Sequence, residues 1–160
     1  MPNWVFVLIV VLFAVFLLIK SRVPLVWGNP KEREARKRLL ALRAEISASK
    51  RDRPRRAELW REAAVISLEE LERPYRAAIY ARRADKLAPH DAKNLSVVVR
   101  AFSQARRFRS LEKLLWRRLD SLDENDEATE RAFEHLVSLY EGPLRRPAQA
   151  RVLRGMRDRS

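Results

Sequence analysis

An uncharged apolar run occupies residues 4–19, and the indole of Trp4 is its only hydrogen-bonding side chain. As an α-helix, a run of this length spans about 24 Å, slightly less than the ~30 Å hydrocarbon core of a bilayer. Trp4 at one interface and the long side chains of Lys20 and Arg22 at the other can make up the difference. The run therefore predicts a single transmembrane anchor, which we assign to residues 1–22.

A cleaved signal peptide and a buried core helix are the alternative interpretations of this run. A signal peptide has a basic segment before its apolar stretch and a small-residue cleavage site after it. Here Met1, Pro2 and Asn3 precede the run, and no Ala-x-Ala pattern follows it. A helix that is apolar on every side needs a large protein around it, whereas the rest of this chain is short and highly charged. An uncleaved anchor is favoured.

Positive charge is concentrated on the C-terminal side of the apolar run. Lysine and arginine residues close to a span are retained on the cytoplasmic side of a membrane. The sequence thus predicts a single-pass membrane protein with its N-terminus outside and its C-terminal domain in the cytoplasm. The cations expected at the membrane surface are Lys20, Arg22, Lys31, Arg33, Arg36, Lys37 and Arg38.

The composition favours helices and a polyanionic partner. The chain has 160 residues, a formal net charge of +13, three glycines and no cysteine. Few tight turns are expected, because such turns often need glycine. The lack of cysteine excludes disulfides, thiolate catalysis and cysteine-based metal sites. A basic protein is attracted to anionic bilayers or to nucleic acid. The adjacent span favours an anionic lipid membrane, because no nucleic-acid-binding motif accompanies the charge.

Proline and capping residues divide the remaining chain into helices. Asn29 and Pro30 are typical of an N-cap and a first helical position, and predict a helix over 31–48. One side of that helix is apolar and the other basic, so it either lies on the membrane surface or caps the next helices. Further helices are predicted over 55–70, 74–87, 92–104, 108–121, 127–140 and 147–156. We assign 23–54 to a juxtamembrane basic helix with its linker, and 55–160 to a helical domain.

The helices from Ala57 onward resemble the tetratricopeptide repeat, a 34-residue helix–turn–helix unit. The first unit has one extra residue in its turn, and its matching residues are Trp60, Ala63, Ala64, Ala77, Ala81, Ala84 and Pro89. The matching residues of the second unit are Leu95, Val98, Val99, Phe102, Phe108, Leu111 and Leu115. A third unit keeps Ala132, Leu136, Tyr140 and Ala150. The resemblance implies an all-α fold in which a short α-solenoid follows the transmembrane helix.

Some positions depart from the family pattern. The repeat has small residues where this chain has Val99 and Arg118 in the second unit and Phe133 in the third. Of the three units, the third matches the pattern least well. A degenerate last unit is typical of a capping repeat. The alternative is an ordinary antiparallel helix bundle, but two periods in the same register favour the repeat.

The resemblance also implies a partner-binding groove, lined by the first helix of each unit. Its expected residues are Glu58, Arg61, Val65, Leu68, Glu69, Lys93, Ser96, Arg100, Ser103 and Gln104. Lys93 and Arg100 lie two turns apart on one side of a helix and suit an acidic peptide or a terminal carboxylate. The alternative is that all these charges are simply solvated.

No residue pattern indicates catalysis. His90 and His135 are far apart and lack a second ligand at zinc spacing. The acidic cluster of Asp123, Glu124, Asp126 and Glu127 lacks the glycine of a calcium loop, so helix capping explains it better. We therefore expect no enzyme activity, cofactor, metal or small-molecule substrate.

The overall layout resembles bacterial membrane-anchored repeat proteins of envelope biogenesis, such as the lipopolysaccharide assembly protein B type. That resemblance implies a scaffold or adaptor that binds other proteins at the cytoplasmic face of the membrane. Two alternatives remain open at this point. The chain could be an accessory subunit of a multi-subunit membrane complex, or a membrane-tethered nucleic-acid binder.

Overall fold

The computed structural model describes residues 4, 8–17, 29–121 and 127–157. Residues 8–17 are helical, and seven further helices follow in the described part of the chain. They are α1 (Pro30–Ala48), α2 (Arg53–Val65), α3 (Pro74–Leu87), α4 (Ala92–Gln104), α5 (Phe108–Ser121), α6 (Glu127–Glu141) and α7 (Pro147–Arg157). A short π-helix, Ile66–Glu70, continues α2. The all-α prediction is confirmed for these residues, which contain no strand.

Polar side chains and prolines determine where the helices begin. The side chain of Asn29 accepts a hydrogen bond from the Lys31 amide, and Pro30 opens α1. Asp52 caps α2 through the Arg55 amide, and Asp91 caps α4 through the Lys93 amide. These bonds satisfy amides that have no partner inside the helix.

The extra residue predicted for the first unit falls at the end of α2. The predicted helix over 55–70 changes there into the π-helix Ile66–Glu70, in which the Leu71 amide donates to the Ile66 carbonyl at 3.1 Å. One inserted residue widens a helical turn in this way without rotating the residues on either side out of the core. Leu68 stays buried within this segment.

Three helix–helix turns have a residue in the left-handed region at the same place. These residues are Glu72, Arg106 and Arg145, with φ of 50°, 53° and 51°. In the first turn, Arg73 N–H donates to the Ser67 carbonyl, and in the third, Arg146 N–H donates to the Tyr140 carbonyl, both at 2.7 Å. The second turn is one residue shorter, since Arg107 N–H donates to the Phe102 carbonyl. The turns after α2, α4 and α6 thus share a left-handed residue followed by a backbone hydrogen bond that closes the turn. The turn after α4 is one residue shorter than the other two.

The helices pack in a regular order of neighbours. Each helix contacts the next one along the chain, and α4 also contacts α2 and α6. Side chains from all seven helices join one buried cluster, whose largest fully buried members are Leu59, Leu95, Leu111, Leu115 and Leu136. As a result, α2, α4 and α6 are neighbours on one side of the molecule.

The basic helix α1 caps the following helices, which was one of its two predicted roles. Ala35, Leu39, Leu42 and Ile46 are buried, and α1 contacts α2 and the π-helix. Its other side is exposed. Helix α1 therefore shares the core of the helical body.

Only part of the predicted anchor can be described. Trp4 and residues 8–17 are helical and their side chains are exposed. Within the described residues, no helix combines the length and the apolar character that crossing a bilayer requires. The remainder of the apolar run, with Lys20 and Arg22, lies outside the described residues, so the anchor stays a prediction.

Candidate functional site

The expected groove lies along α2 and α4, which are in contact, and α6 extends it because it contacts α4. We use the word groove for the side formed by these three helices. The π-helix continues α2 at one end of the groove. Of the expected groove residues, Glu58, Glu69, Lys93, Ser96, Arg100 and Gln104 are exposed.

On α2 and its π-helix, three of the expected residues already contact other parts of the protein. Leu68 is a core residue with 5% of its surface exposed, and Val65 packs partly buried against the same core. Glu58 accepts a hydrogen bond from Arg55, whose guanidinium also reaches Glu45 of α1 at 2.8 Å. Leu68 therefore cannot serve as a groove contact, and Glu58 helps to fasten α1 to α2.

Arg61 belongs to a polar network beneath the groove. Its Nη1 lies 2.5 Å from Asp91 Oδ2 and 3.1 Å from Asn94 Oδ1. The Asn94 side chain is fully buried and donates in turn to the Ala88 carbonyl at 3.2 Å. Arg61 thus holds the α3–α4 turn against α2. Both bonds use Nη1, and the ion pair with Asp91 compensates the charge of Arg61.

Two expected groove residues neutralise each other. Arg100 Nη2 of α4 lies 2.6 Å from Glu69 Oε1 of the π-helix, and about half of each side chain is exposed. Lys93 is exposed and forms no ion pair among the described residues. Of the two cations expected to bind a carboxylate, Lys93 alone keeps an uncompensated charge.

The third helix of the groove adds acidic residues that the sequence analysis missed. Glu130 and Glu134 are exposed on α6 and follow Ser96 and Arg100 by one 34-residue period. Extending the repeat register by one more unit would have found them. His135 next to them is half-buried, and burial lowers its pKa, with Glu134 raising it and Arg131 lowering it further. The groove is therefore mixed in charge rather than basic.

The cations predicted for the membrane surface are exposed on α1, where the structure describes them. Two of them have local counter-charges. Arg36 pairs with Glu32 at 2.6 Å, while Arg38 pairs with Glu34 at 3.2 Å and approaches Glu70 at 3.6 Å. Lys37 has no ion pair among the described residues. Because of these pairs, the α1 surface is less positive than its residue list suggests.

A second basic surface covers the side of the molecule opposite the groove. We call it the basic face, formed by the outward sides of α3 and α5 and by the turn before α5. Its exposed cations are Arg76, Arg82, Arg83 and Lys86 on α3, Arg106 and Arg107 in the turn, and Arg109, Lys113 and Arg117 on α5. None of these nine forms an ion pair with a described residue. The sequence analysis missed the surface because its residues come from separate helices.

Beneath the basic face lies a buried ion pair. Arg118 of α5 has 3% of its side chain exposed, and its Nη2 is 2.9 Å from Asp85 Oδ1 of α3. The same guanidinium donates to the Pro89 carbonyl in the α3–α4 turn. Burial raises the pKa of Asp85, and the positive charge of Arg118 partly opposes this.

The described residues offer no metal site, since no group of three or more His, Cys, Asp or Glu side chains comes together in them. His90 is exposed in the α3–α4 turn, and His135 is on α6. Of the acidic cluster, Glu127 opens α6, whereas Asp123, Glu124 and Asp126 lie outside the described residues.

The surfaces that could meet another molecule are therefore a mixed-charge groove and a basic face on opposite sides of the helices. No family model, curated protein or solved structure matches this chain, so its own contacts and charges are what indicate a function.

Proposed function

We propose that this protein is a membrane-anchored scaffold of tetratricopeptide-like repeats that holds a partner protein at the cytoplasmic face of the bacterial inner membrane. The groove of α2, α4 and α6 receives an extended or helical segment of that partner. The order of helix contacts carries this proposal, because α4 touches both α2 and α6 and so builds a continuous surface from alternate helices.

Two of the three matching turns fall at the repeat period and support a repeat. Glu72 and Arg106 are one 34-residue period apart and share a left-handed backbone. Residues other than glycine rarely adopt the left-handed backbone conformation. Its recurrence at corresponding positions therefore favours repeated units over an irregular bundle. The π-helix explains the one residue by which the first unit exceeds the second.

The exposure of the N-terminal helix supports an anchor. Large apolar side chains such as Leu12 and Phe13 are each 61% exposed. A continuous apolar surface of this kind is costly in water and needs another environment. A bilayer supplies it, and the cations after the run orient the chain with its helical body inside.

The charges in the groove indicate the kind of segment it would hold. Lys93 offers an ammonium without an ion pair at the start of α4, Arg100 is paired with Glu69, and Glu130 and Glu134 are exposed on α6. A segment that places a carboxylate opposite Lys93 would satisfy this pattern. An acidic peptide is therefore the proposed ligand class, with Lys93 as its main contact.

The proposal is tested by recovering partners from detergent-solubilised membranes with the full-length protein. The Lys93→Ala/Arg100→Ala variant should lose partners, because a charge-assisted hydrogen bond contributes about 1.5–3 kcal/mol. The matched control, Arg82→Ala/Lys86→Ala, removes two exposed cations from α3 and should recover the same partners as wild type. Circular dichroism of both variants should match wild type, since all four side chains are exposed.

Other results of this experiment would favour the alternative functions. Full recovery with the groove variant would contradict the groove as the binding surface. If partners then depended on residues of the apolar run, the protein would be an accessory subunit held through its span. Recovery of nucleic acid in place of proteins, lost in the α3 control, would instead favour the tethered nucleic-acid binder.

A further inference from the structure

We propose that the basic face is a docking surface for an anionic lipid bilayer, so that the helical body lies against the membrane with its groove turned away. This inference uses the proposed anchor only to explain why a bilayer is close by. The docking surface itself follows from the charges, the apolar side chains and the direction of α3 and α5.

Helix α3 presents a single outward stripe. Tyr75, Ile79, Arg82 and Lys86 recur at helical spacing and are all exposed, while Ala77, Ala81 and Ala84 on the opposite side are buried. Tyr75 is 61% exposed and Ile79 is 48% exposed. An aromatic ring and an aliphatic side chain among cations are what an interfacial surface presents to headgroups and acyl chains.

Helix α5 continues this surface. Arg109, Lys113 and Arg117 are spaced four residues apart and are exposed, whereas Leu111 and Leu115 between them are buried. The Arg107 guanidinium lies 5.6 Å from the centre of the Tyr75 ring, and Arg118 pairs with Asp85. These contacts join the two helices near their starts and near their ends. The two helices therefore point in the same direction, and we infer that their stripes form one face.

Little negative charge remains on this face. Of the carboxylates on α3 and α5, Asp85 is paired with Arg118, and Glu112 accepts hydrogen bonds from Tyr140 and Arg146. Asp120 is the remaining exposed carboxylate on these two helices. On α1 and in the groove, by contrast, Arg36, Arg38 and Arg100 are paired with Glu32, Glu34 and Glu69.

The path of the chain brings α3 towards the membrane. Arg73, just before α3, lies 3.7 Å from Glu32 in the first turn of α1. Glu32 follows the proposed span by only about a dozen residues. The beginning of α3, with Tyr75 and Arg76, is therefore beside the place where the chain enters the helical body.

A bilayer fits this face better than nucleic acid. Binding of single strands depends on several aromatic rings on which successive bases stack. Here Tyr75 is the aromatic residue on the outward stripe, and Trp116 of α5 instead donates to the Tyr140 hydroxyl at 2.9 Å. Distributed cations with a few apolar side chains need only a surface of headgroups, and each gives about fivefold in binding near an anionic leaflet.

The test uses the full-length protein in lipid nanodiscs. Because the chain has no cysteine, Ile79→Cys carries a fluorescent probe without competing sites. Bilayers that contain phosphatidylglycerol and brominated lipid should quench this probe, whereas pure phosphatidylcholine bilayers with the same brominated lipid should not. A probe at Ser96→Cys, on α4 in the groove, should stay unquenched in both. Quenching at position 79 should disappear at 1 M salt, where the Debye length falls to about 3 Å.

The charge dependence is tested with two variants of equal net charge. Neutralising Arg82, Lys86, Arg106, Lys113 and Arg117 to Gln should lower the docking equilibrium on the order of 10³-fold, at about fivefold for each cation. The matched control neutralises Arg43, Lys50, Arg51, Arg53 and Arg151, which are exposed on α1, its linker, the start of α2 and α7, and should keep most of the quenching. Both variants should keep the wild-type helicity.

The remaining results would overturn the inference. These are equal quenching in zwitterionic bilayers, equal loss in the two variants, or quenching at Ser96→Cys as strong as at Ile79→Cys. If an RNA oligonucleotide displaces the protein from the anionic bilayer at physiological salt, the face belongs to nucleic acid instead. Carbonate extraction tests the anchor separately, because a chain that carbonate extracts but that docks through position 79 would refute the anchor and keep the docking surface.

Discussion

Arg118 joins three parts of the chain at one buried point. Its guanidinium pairs with Asp85 of α3 at 2.9 Å and donates to the Pro89 carbonyl, although it belongs to α5. A charge taken out of water is tolerated only when a counter-charge and hydrogen bonds replace the lost hydration. The pair fixes α5 against α3 and the α3–α4 turn.

Removing one member of this pair should be more damaging than replacing both. We expect Arg118→Met to destabilise the protein by about 3–5 kcal/mol, because Asp85 is left as a buried charge without its partner. The double variant Arg118→Met/Asp85→Leu should recover most of this loss. Chemical unfolding followed by circular dichroism measures both values. A single variant as stable as the double one would show that the pair is not buried as described.

The same pair gives a pH dependence with a defined sign. Burial raises the folded pKa of Asp85 above its unfolded value, so the contribution of this group to stability is complete below the unfolded pKa and is lost as pH rises through the folded pKa. Arg118→Met removes the charge that opposes this rise. As pH rises above the unfolded pKa of about 4, the variant should therefore lose more stability than wild type. Parallel stability curves for the two proteins would contradict this assignment.

At the scale of single elements, the π-helix Ile66–Glu70 is the feature that distinguishes the first unit from the second. Without its extra residue, the bond from the Arg73 amide to the Ser67 carbonyl would span the same number of residues as the bond from Arg107 to Phe102. The insertion is therefore confined to one helical turn and leaves the flanking helices in register.

Deleting Glu70 should convert the first turn into the form of the second. Because Glu70 is exposed, we expect the change in unfolding free energy to stay below about 1 kcal/mol, as for most surface changes. The control deletion of Ser96 in α4 rotates the following residues by about 100° and removes Val98 and Phe102 from the core. Its cost should exceed about 4 kcal/mol. Thermal unfolding of both variants gives the comparison, and a Glu70 deletion as damaging as the Ser96 deletion would refute the one-residue insertion.

At the scale of the whole molecule, charge is distributed differently on the two sides of the helices. The groove contains pairs such as Arg100–Glu69, and the opposite side contains cations without counter-charges among the described residues. If the basic face lies on the bilayer, the groove faces the cytoplasm, where a partner can reach it. The two proposed surfaces are therefore compatible in one orientation.

The orientation of the anchor leads to a topology prediction. A green fluorescent protein fused after Ser160 should be fluorescent, because the positive charge from Lys20 to Arg38 keeps this side of the chain in the cytoplasm. Alkaline phosphatase at the same site should be inactive, since it needs the periplasm to form its disulfides. An active phosphatase fusion would reverse the proposed topology and place both surfaces outside the cytoplasm.

The sequence by itself determined where the helices lie. Proline at a first helical position and Asn or Asp at a cap act within a few residues, so α1 and α4 begin where Asn29 and Asp91 predict. The extra residue of the first unit was also visible as an offset from a 34-residue period. The form that it takes, a π-helix, depends on both flanking helices staying in the core.

The tertiary structure alone decided which charges remain available. Arg61 and Asp91, Arg100 and Glu69, and Arg118 and Asp85 are each about thirty residues apart, and they meet only because folding brings their segments together. Residue type and helical spacing predicted Arg61, Arg100 and Lys93 equally as groove residues. Ion pairing between helices depends on distances of a few ångströms that no local pattern specifies. Packing therefore neutralised most of the predicted groove cations and left the uncompensated charge on α3 and α5.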